Sequence, residues 1–288
     1  MNKIIYYIDV LLAHNVSEEF TYKHETIEKP RVGMIVLAPL RSGEKIGVIT
    51  KVNSVLDDSK IKLKFIKEIS PEYRLNSKMI KFLNWVSNYN LIDRGLVLKM
   101  ILSHSKFYFK KKKTKELTSN IKKNVKAIML SLEQKRASQD ILKIFQQRNF
   151  KPVLLDGVPG SGKTEVYFDV IKKFIKDGEQ VLIMFPEVSL TGDFVNRIEE
   201  RFGFSPVVWH SKISTAYKTK VLKSIIDGTS QIIIGARSSL FLPYKNLSMI
   251  VLDEEHDSSY KQEEQGIYHA RDMSVVKSSI EDLSLIHI

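Results

Sequence analysis

The stretch Gly157-Val158-Pro159-Gly160-Ser161-Gly162-Lys163-Thr164 decides the reading of this chain. It follows a short apolar run, Val153-Leu154-Leu155. It precedes a segment with helical spacing, in which Val166, Val170 and Phe174 share a face with Tyr167, Ile171 and Ile175. The pattern G-x-x-x-x-G-K-T between a strand and a helix describes a phosphate-binding loop. The glycines matter because a Cβ would obstruct a backbone that has to wrap close to a polyphosphate. The loop amides and the helix N-terminus then turn their positive ends toward the anion. Gly157, Gly160, Ser161, Gly162, Lys163 and Thr164 are therefore the candidate nucleotide-binding residues. Lys163 would reach the β- and γ-phosphates, and the Thr164 hydroxyl would hold a magnesium ion, so ATP and Mg2+ are the expected cofactors.

A second box supports the first. Ser248-Met249-Ile250-Val251-Leu252 reads as a buried strand and runs into Asp253-Glu254-Glu255-His256, a DEEH box. In a protein with a phosphate loop, an acidic residue at such a strand end contacts magnesium, and a neighbouring carboxylate orients the attacking water. Asp253 is assigned to the metal and Glu254 to the water. His256 is either a polar surface histidine or a link between the nucleotide and a nucleic-acid site.

The 288 residues allow two modest domains, and their formal net charge is +12. A sequence pI near 9.5 favours a polyanionic partner, with nucleic acid ahead of an acidic membrane surface. The absence of cysteine excludes disulfides and thiolate zinc sites within this sequence. No apolar run has membrane-spanning length. Residues 1–12 mix tyrosine and aspartate into apolar positions and read as a strand, not a signal peptide, so a cytoplasmic protein is expected.

Residues 1–102 read as a β-rich domain with a trailing helix. Ile4, Tyr6, Ile8 and Val10 alternate with other side chains, and residues 34–38, 45–52 and 62–69 are further strand candidates. A small barrel or twisted sheet fits. Met79, Phe82, Leu83, Val86 and Tyr89 then mark one helix face, with Asn76 or Ser77 as N-cap and Trp85 packing beside it. Residues 103–135 are lysine-rich, including Lys110-Lys111-Lys112-Lys113. Such a run is either a solvated connector or a nucleic-acid contact. Residues 136–288 alternate strands (181–185, 207–209, 232–234) with helices (194–202, 217–226). That alternation means a parallel sheet covered on both faces, an α/β fold of one RecA-like lobe.

Further blocks accompany the two boxes in order. They are Phe185-Pro186-Glu187-Val188-Ser189-Leu190-Thr191, Gly235-Ala236-Arg237-Ser238-Ser239-Leu240-Phe241, Asp257-Ser258-Ser259-Tyr260-Lys261-Gln262-Glu263-Glu264 and Tyr268-His269-Ala270-Arg271-Asp272. Together they resemble the first lobe of the superfamily 2 helicases of the PriA (primosomal protein N′) family, over residues 139–277. The resemblance implies an ATP-driven DNA helicase that moves 3′ to 5′ and acts at stalled or repaired replication forks. Its expected partners are forked and single-stranded DNA, primosome proteins and single-stranded-DNA-binding protein. Thr191 and Arg237 fall in motifs near single-stranded DNA, where a hydroxyl and a guanidinium suit phosphates. Residues 257–271 match an aromatic-rich loop that couples DNA contact to hydrolysis. In it Tyr260 and Tyr268 would stack on bases, and Lys261 and Arg271 would neutralise phosphates. Core packing is the alternative for Tyr268. Gln139 matches the upstream glutamine that reads adenine in related helicases.

The first domain resembles the same family. Phe20-Thr21-Tyr22 stands where the family has Phe-Asp-Tyr, and Gly33 with Pro39-Leu40-Arg41 fits the barrel that follows. In the family this barrel holds the 3′ end of the nascent leading strand. Phe20 and Tyr22 would stack on the terminal base, and Lys64 would contact its sugar or phosphate. Thr21 replaces the aspartate expected to bind the terminal 3′-hydroxyl. The sequence departs from the family in two larger ways. Residues 103–135 are too few for the family's winged-helix domain, and the second lobe, its arginine finger and the cysteine-rich zinc module do not appear. The expectation is a fragment that binds ATP and DNA and hydrolyses weakly alone. A catalytically decayed module for forks or 3′ ends is the alternative, and a small-molecule P-loop kinase ranks well below both.

Overall fold

Alternating apolar side chains build the first sheet. It comprises β1 (Ile4–Leu12), β2 (Glu19–Thr26), β3 (Met34–Leu40), β4 (Gly43–Val52) and β5 (Glu68–Arg74), antiparallel in the order β2-β1-β4-β3-β5. The computed structural model describes residues 3–41, 43–52, 63–104, 107–109, 128–146, 150–186, 192–263 and 266–288. Ile8, Val10, Leu12, Tyr22, Val36, Ala38, Ile49 and Ile66 form the core of this sheet. The outer edge of β2 does not stay free. The Lys23 amide donates to the Lys64 carbonyl at 2.9 Å, and the Ile66 amide donates to the Lys23 carbonyl at 3.0 Å. The chain just before β5 thus meets β2 at the far edge and curls the sheet toward a barrel, which removes an exposed edge. The expected strand at residues 62–69 is displaced, because the paired segment β5 begins at Glu68.

Helix α1 (Ser77–Asn90) starts where Asn76 caps it, its side chain accepting from the Met79 amide. Met79, Phe82, Leu83 and Val86 are buried as the spacing required. Tyr89 is not on that face. It is exposed and stacks on Trp85, with ring centroids 4.5 Å apart. A second helix, α2 (Arg94–Ile101), follows. Packing continues beyond residue 102, since Phe107 and Tyr108 are buried against Tyr73 and the Ser70 hydroxyl donates to the Tyr108 carbonyl. The chain divides into compact units Met1–Lys113 and Thr114–Ile288, so the first domain takes in part of the expected linker. The lysine run at 110–113 lies outside the described residues.

The second unit opens with α3 (Leu132–Phe145), four residues ahead of the expected boundary. A capping box fixes its start: Ser131 and Gln134 each bond the other's backbone amide. In chain order there follow β6 (Pro152–Leu154), α4 (Lys163–Lys176), β7 (Gln180–Met184), α5 (Gly192–Phe202), β8 (Val207–Trp209), α6 (Thr215–Asp227), β9 (Ile232–Gly235) and β10 (Leu247–Leu252). A small hairpin of β11 (Lys261–Gln262) and β12 (Tyr268–His269), then α7 (Ala270–Glu281) and β13 (Ser284–His287), complete it. Six of these strands form a parallel sheet in the order β6-β13-β10-β7-β9-β8. Its inner strands β13, β10, β7 and β9 are largely buried, as a sheet with both faces covered demands, while the edge strand β6 is exposed at Pro152 and Leu154. No helix among the described residues is long and apolar enough to cross a membrane.

This order positions the site. The phosphate loop leaves the carboxyl end of β6, and the acidic box leaves the carboxyl end of β10. Only β13 lies between them. Two strand spacings of about 4.8 Å therefore bring the boxes within about 10 Å of each other.

Candidate nucleotide and nucleic-acid site

The phosphate loop turns on two glycines in the left-handed region, Gly160 at φ 79° and Gly162 at φ 81°. Gly162 is the N-cap of α4 and has no side chain to satisfy the first turn. Those amides therefore point outward, toward the place a phosphate would take. The Lys163 ammonium donates to the carbonyls of Gly157 and Val158, which holds it over the loop.

A glutamine does touch this loop, but it is Gln134. Its amide nitrogen donates to the Ser161 carbonyl at 3.0 Å, and a Cβ at position 162 would lie 2.3 Å from that nitrogen. Gln139 is exposed further along α3. The structure thus brings Gln134, five residues before Gln139, against the phosphate loop. The capping signature Ser131-x-x-Gln134, which fixes the start of the helix, marks that glutamine in the sequence.

Asp253 is partly buried at the end of β10, and its amide donates to the Met184 carbonyl at 3.0 Å. Its Oδ1 accepts from the Glu254 amide and its Oδ2 from the Tyr167 hydroxyl, both at 3.1 Å. Burial pushes the Asp253 carboxyl above the usual range, while the Tyr167 hydrogen bond and the Lys163 charge pull it down. Glu254 has φ 52°, a left-handed backbone that costs a non-glycine residue about 1 kcal/mol or more and is typical of working sites. Its exposed carboxylate lies 3.6 Å from the exposed His256 ring, so His256 takes the surface position.

The donor set suits a nucleotide-borne magnesium ion. Among the described residues no three His, Cys, Asp or Glu side chains gather as a metal cage. Magnesium needs only one or two protein oxygens, because waters and phosphates complete its octahedron. Thr164 and Asp253 supply that number.

The residues assigned to DNA divide into two groups. Arg237 donates to the Lys261 carbonyl, and β11 pairs Lys261 with His269. Burial lowers the pKa of His269, and the charges of Arg271 and Lys261 act in the same direction against Asp272. Arg237, Lys261 and Arg271 therefore gather around one hairpin, and the side chains of the last two are 54% and 41% exposed. The tyrosines do not join them. Tyr260 is fully buried, and its single hydroxyl proton is shared between the carbonyls of Met184 at 2.9 Å and Asp253 at 2.7 Å. Tyr268 is 5% exposed and packs edge-on against Phe241. Neither ring offers a free face to a base, which corrects the stacking expectation and selects core packing for Tyr268. Thr191 lies outside the described residues.

In the first unit Tyr22 is likewise buried, with its hydroxyl donating to the Pro39 carbonyl at 3.0 Å. Only Phe20 of the expected aromatic pair keeps an accessible edge, and Lys64 is exposed. At the replaced aspartate position, Thr21 pairs in register with Asp9, and its hydroxyl donates to Asp9 Oδ1 at 2.7 Å. A carboxylate thus stands beside residue 21, carried by the neighbouring strand.

A parallel sheet that carries the glycine-rich loop and the acidic box, with a basic hairpin in the same lobe, is the arrangement of a helicase-like lobe. The chain belongs to the DEAD/DEAH box helicase family, which matches residues 131–281. Residues 9–103 match a 3′ DNA-binding domain. Within that family the likeness is to replication restart protein PriA. The PriA of Rickettsia felis is 38% identical over 256 residues, which cover 88% of this chain and 38% of that relative. The PriA of Bacillus subtilis is 40% identical over 156 residues, 54% of this chain and 19% of the relative. That of Haemophilus influenzae is 44% identical over 137 residues, 48% and 19% of the two chains. Even where it matches over most of its own length, the chain spans 38% of the Rickettsia felis protein.

Proposed function

We propose that this chain supplies the nucleotide-binding lobe and the 3′-end-binding domain of an ATP-dependent 3′–5′ DNA helicase of replication restart. The reading rests on the loop that carries Lys163 and Thr164 and the box that carries Asp253 leaving the carboxyl ends of β6 and β10, two strands apart in one sheet. The loop amides and Lys163 bind the β- and γ-phosphates. Thr164 and Asp253 hold magnesium, which when bound neutralises charge on the phosphates. Glu254 orients the water, and Gln134 takes the nucleotide-side position first given to Gln139. Arg237, Lys261 and Arg271 hold phosphates of single-stranded DNA. Stalled forks, primosome proteins and single-stranded-DNA-binding protein are the proposed partners, in the bacterial cytoplasm.

One lobe forms one wall of a cleft that two lobes close, and an arginine from the second lobe is worth several orders of magnitude in rate. Hydrolysis by this chain alone is therefore expected to be weak and to rise when the rest of a PriA relative is supplied. Titration with a fluorescent ATP analogue tests the site. Lys163→Ala should lose at least about tenfold in affinity, because the ammonium is the charge facing the phosphates. Equal affinity for both proteins would remove the phosphate-loop assignment.

A second reading, a module that recognises 3′ ends without turnover, draws on Thr21. Asp9, whose Oδ1 accepts from Thr21, supports end recognition in this reading, because its carboxylate would accept a hydrogen bond from a terminal 3′-hydroxyl.

A further inference from the structure

We infer that Tyr167 is a positioning residue for magnesium, and that its buried hydroxyl fixes the Asp253 carboxylate against the helix that carries Thr164. The inference rests on the assignment of Thr164 and Asp253 as the magnesium-binding pair. Tyr167 lies one helical turn after Thr164 on α4 and is 0% exposed, with its ring edge-on to Phe168. Its hydroxyl donates to Asp253 Oδ2 at 3.1 Å. The phenol therefore joins the helix that carries Thr164 to the carboxylate at the end of β10.

Hydrogen-bond valence fixes the direction of this bond. An ionised carboxylate only accepts, so the Tyr167 proton goes to Asp253. The bond to Tyr167 fixes the rotation of the Asp253 carboxylate and leaves its other lone pairs for a cation. Two separate elements, α4 and the end of β10, are thus held at one spacing before any ion arrives. Preorganisation of this kind is what a small ion with strict octahedral geometry requires.

The test compares the affinity of a fluorescent ATP analogue in excess Mg2+ and in EDTA. Wild-type chain, Tyr167→Phe, Tyr167→Met and Asp253→Asn are measured, with melting temperature followed in parallel. Magnesium should strengthen binding to the wild type, and this gain should shrink about fivefold to tenfold in both Tyr167 variants, with EDTA affinity unchanged. A residue that only packs the core would lower the melting temperature and leave the gain intact. An intact gain in Tyr167→Phe or Tyr167→Met would overturn the inference while leaving the magnesium site standing. No gain in the wild type, or a full gain in Asp253→Asn, would instead remove the assignment of the site itself, and the inference with it.

Discussion

Tyr260 illustrates what single residues do in this fold. Its one hydroxyl proton is shared between two main-chain carbonyls, Met184 on β7 and Asp253 at the end of β10, and so pins the acidic box to the neighbouring strand. Met184 keeps a second donor, the Asp253 amide, but the Asp253 carbonyl loses the Tyr260 donor if the hydroxyl is removed. Tyr260→Phe should therefore cost about 1–2 kcal/mol in urea unfolding, with no cavity formed. An unchanged midpoint would mean that water replaces the hydroxyl. Tyr260, Tyr22 and Tyr268 were all legible as aromatics, but their burial was not. The partners that decide it, such as the Met184 and Pro39 carbonyls, lie far away in sequence and carry no side-chain signature. The phosphate loop and DEEH box were legible because their chemistry is local: glycines at forced backbone angles, then a lysine, a threonine and an aspartate at fixed offsets.

Among the elements, α4 and α5 are joined by charge as well as by apolar packing. Glu165, the residue after Thr164, pairs with Arg197 at 2.8 Å and lies 3.7 Å from Arg201, whose side chain is 2% exposed. Removing the carboxylate leaves Arg201 buried without its counter-charge. Glu165→Ala should destabilise the lobe by about 3–5 kcal/mol, well beyond the effect of a surface pair. A loss below about 1 kcal/mol would show that Arg201 escapes to solvent in the variant. Strands β7 to β10 could be read from their β-branched runs. Helix α7 could not, since its buried face is Ala270, Met273, Ser274, Lys277 and Ser278. Small and polar residues, with a lysine paired to Glu281, give no apolar periodicity to detect. Strand β2 was met only as a motif, because its outward positions are charged or polar and its apolar face is just Phe20 and Tyr22.

For the molecule as a whole, a net charge of +12 sets how it should meet a polyanion. If Arg237, Lys261 and Arg271 each neutralise one phosphate, log affinity for single-stranded DNA should fall with log salt at a slope of about −2. A flat response would remove phosphate contacts from the account. In the same titration, forks with a free 3′-hydroxyl should bind more tightly than blocked ones if Asp9 serves the terminal sugar. Equal binding would end that role for the first domain.

The place of β13 has one further consequence. It joins β6 to β10, yet it follows both in the sequence, so the two boxes are bridged by a strand made after either of them. A nascent chain that has already released its phosphate loop and acidic box from the ribosome still holds them on separate, unbridged strands. Loop and box therefore take up their fixed spacing only once β13 has emerged and slotted between them.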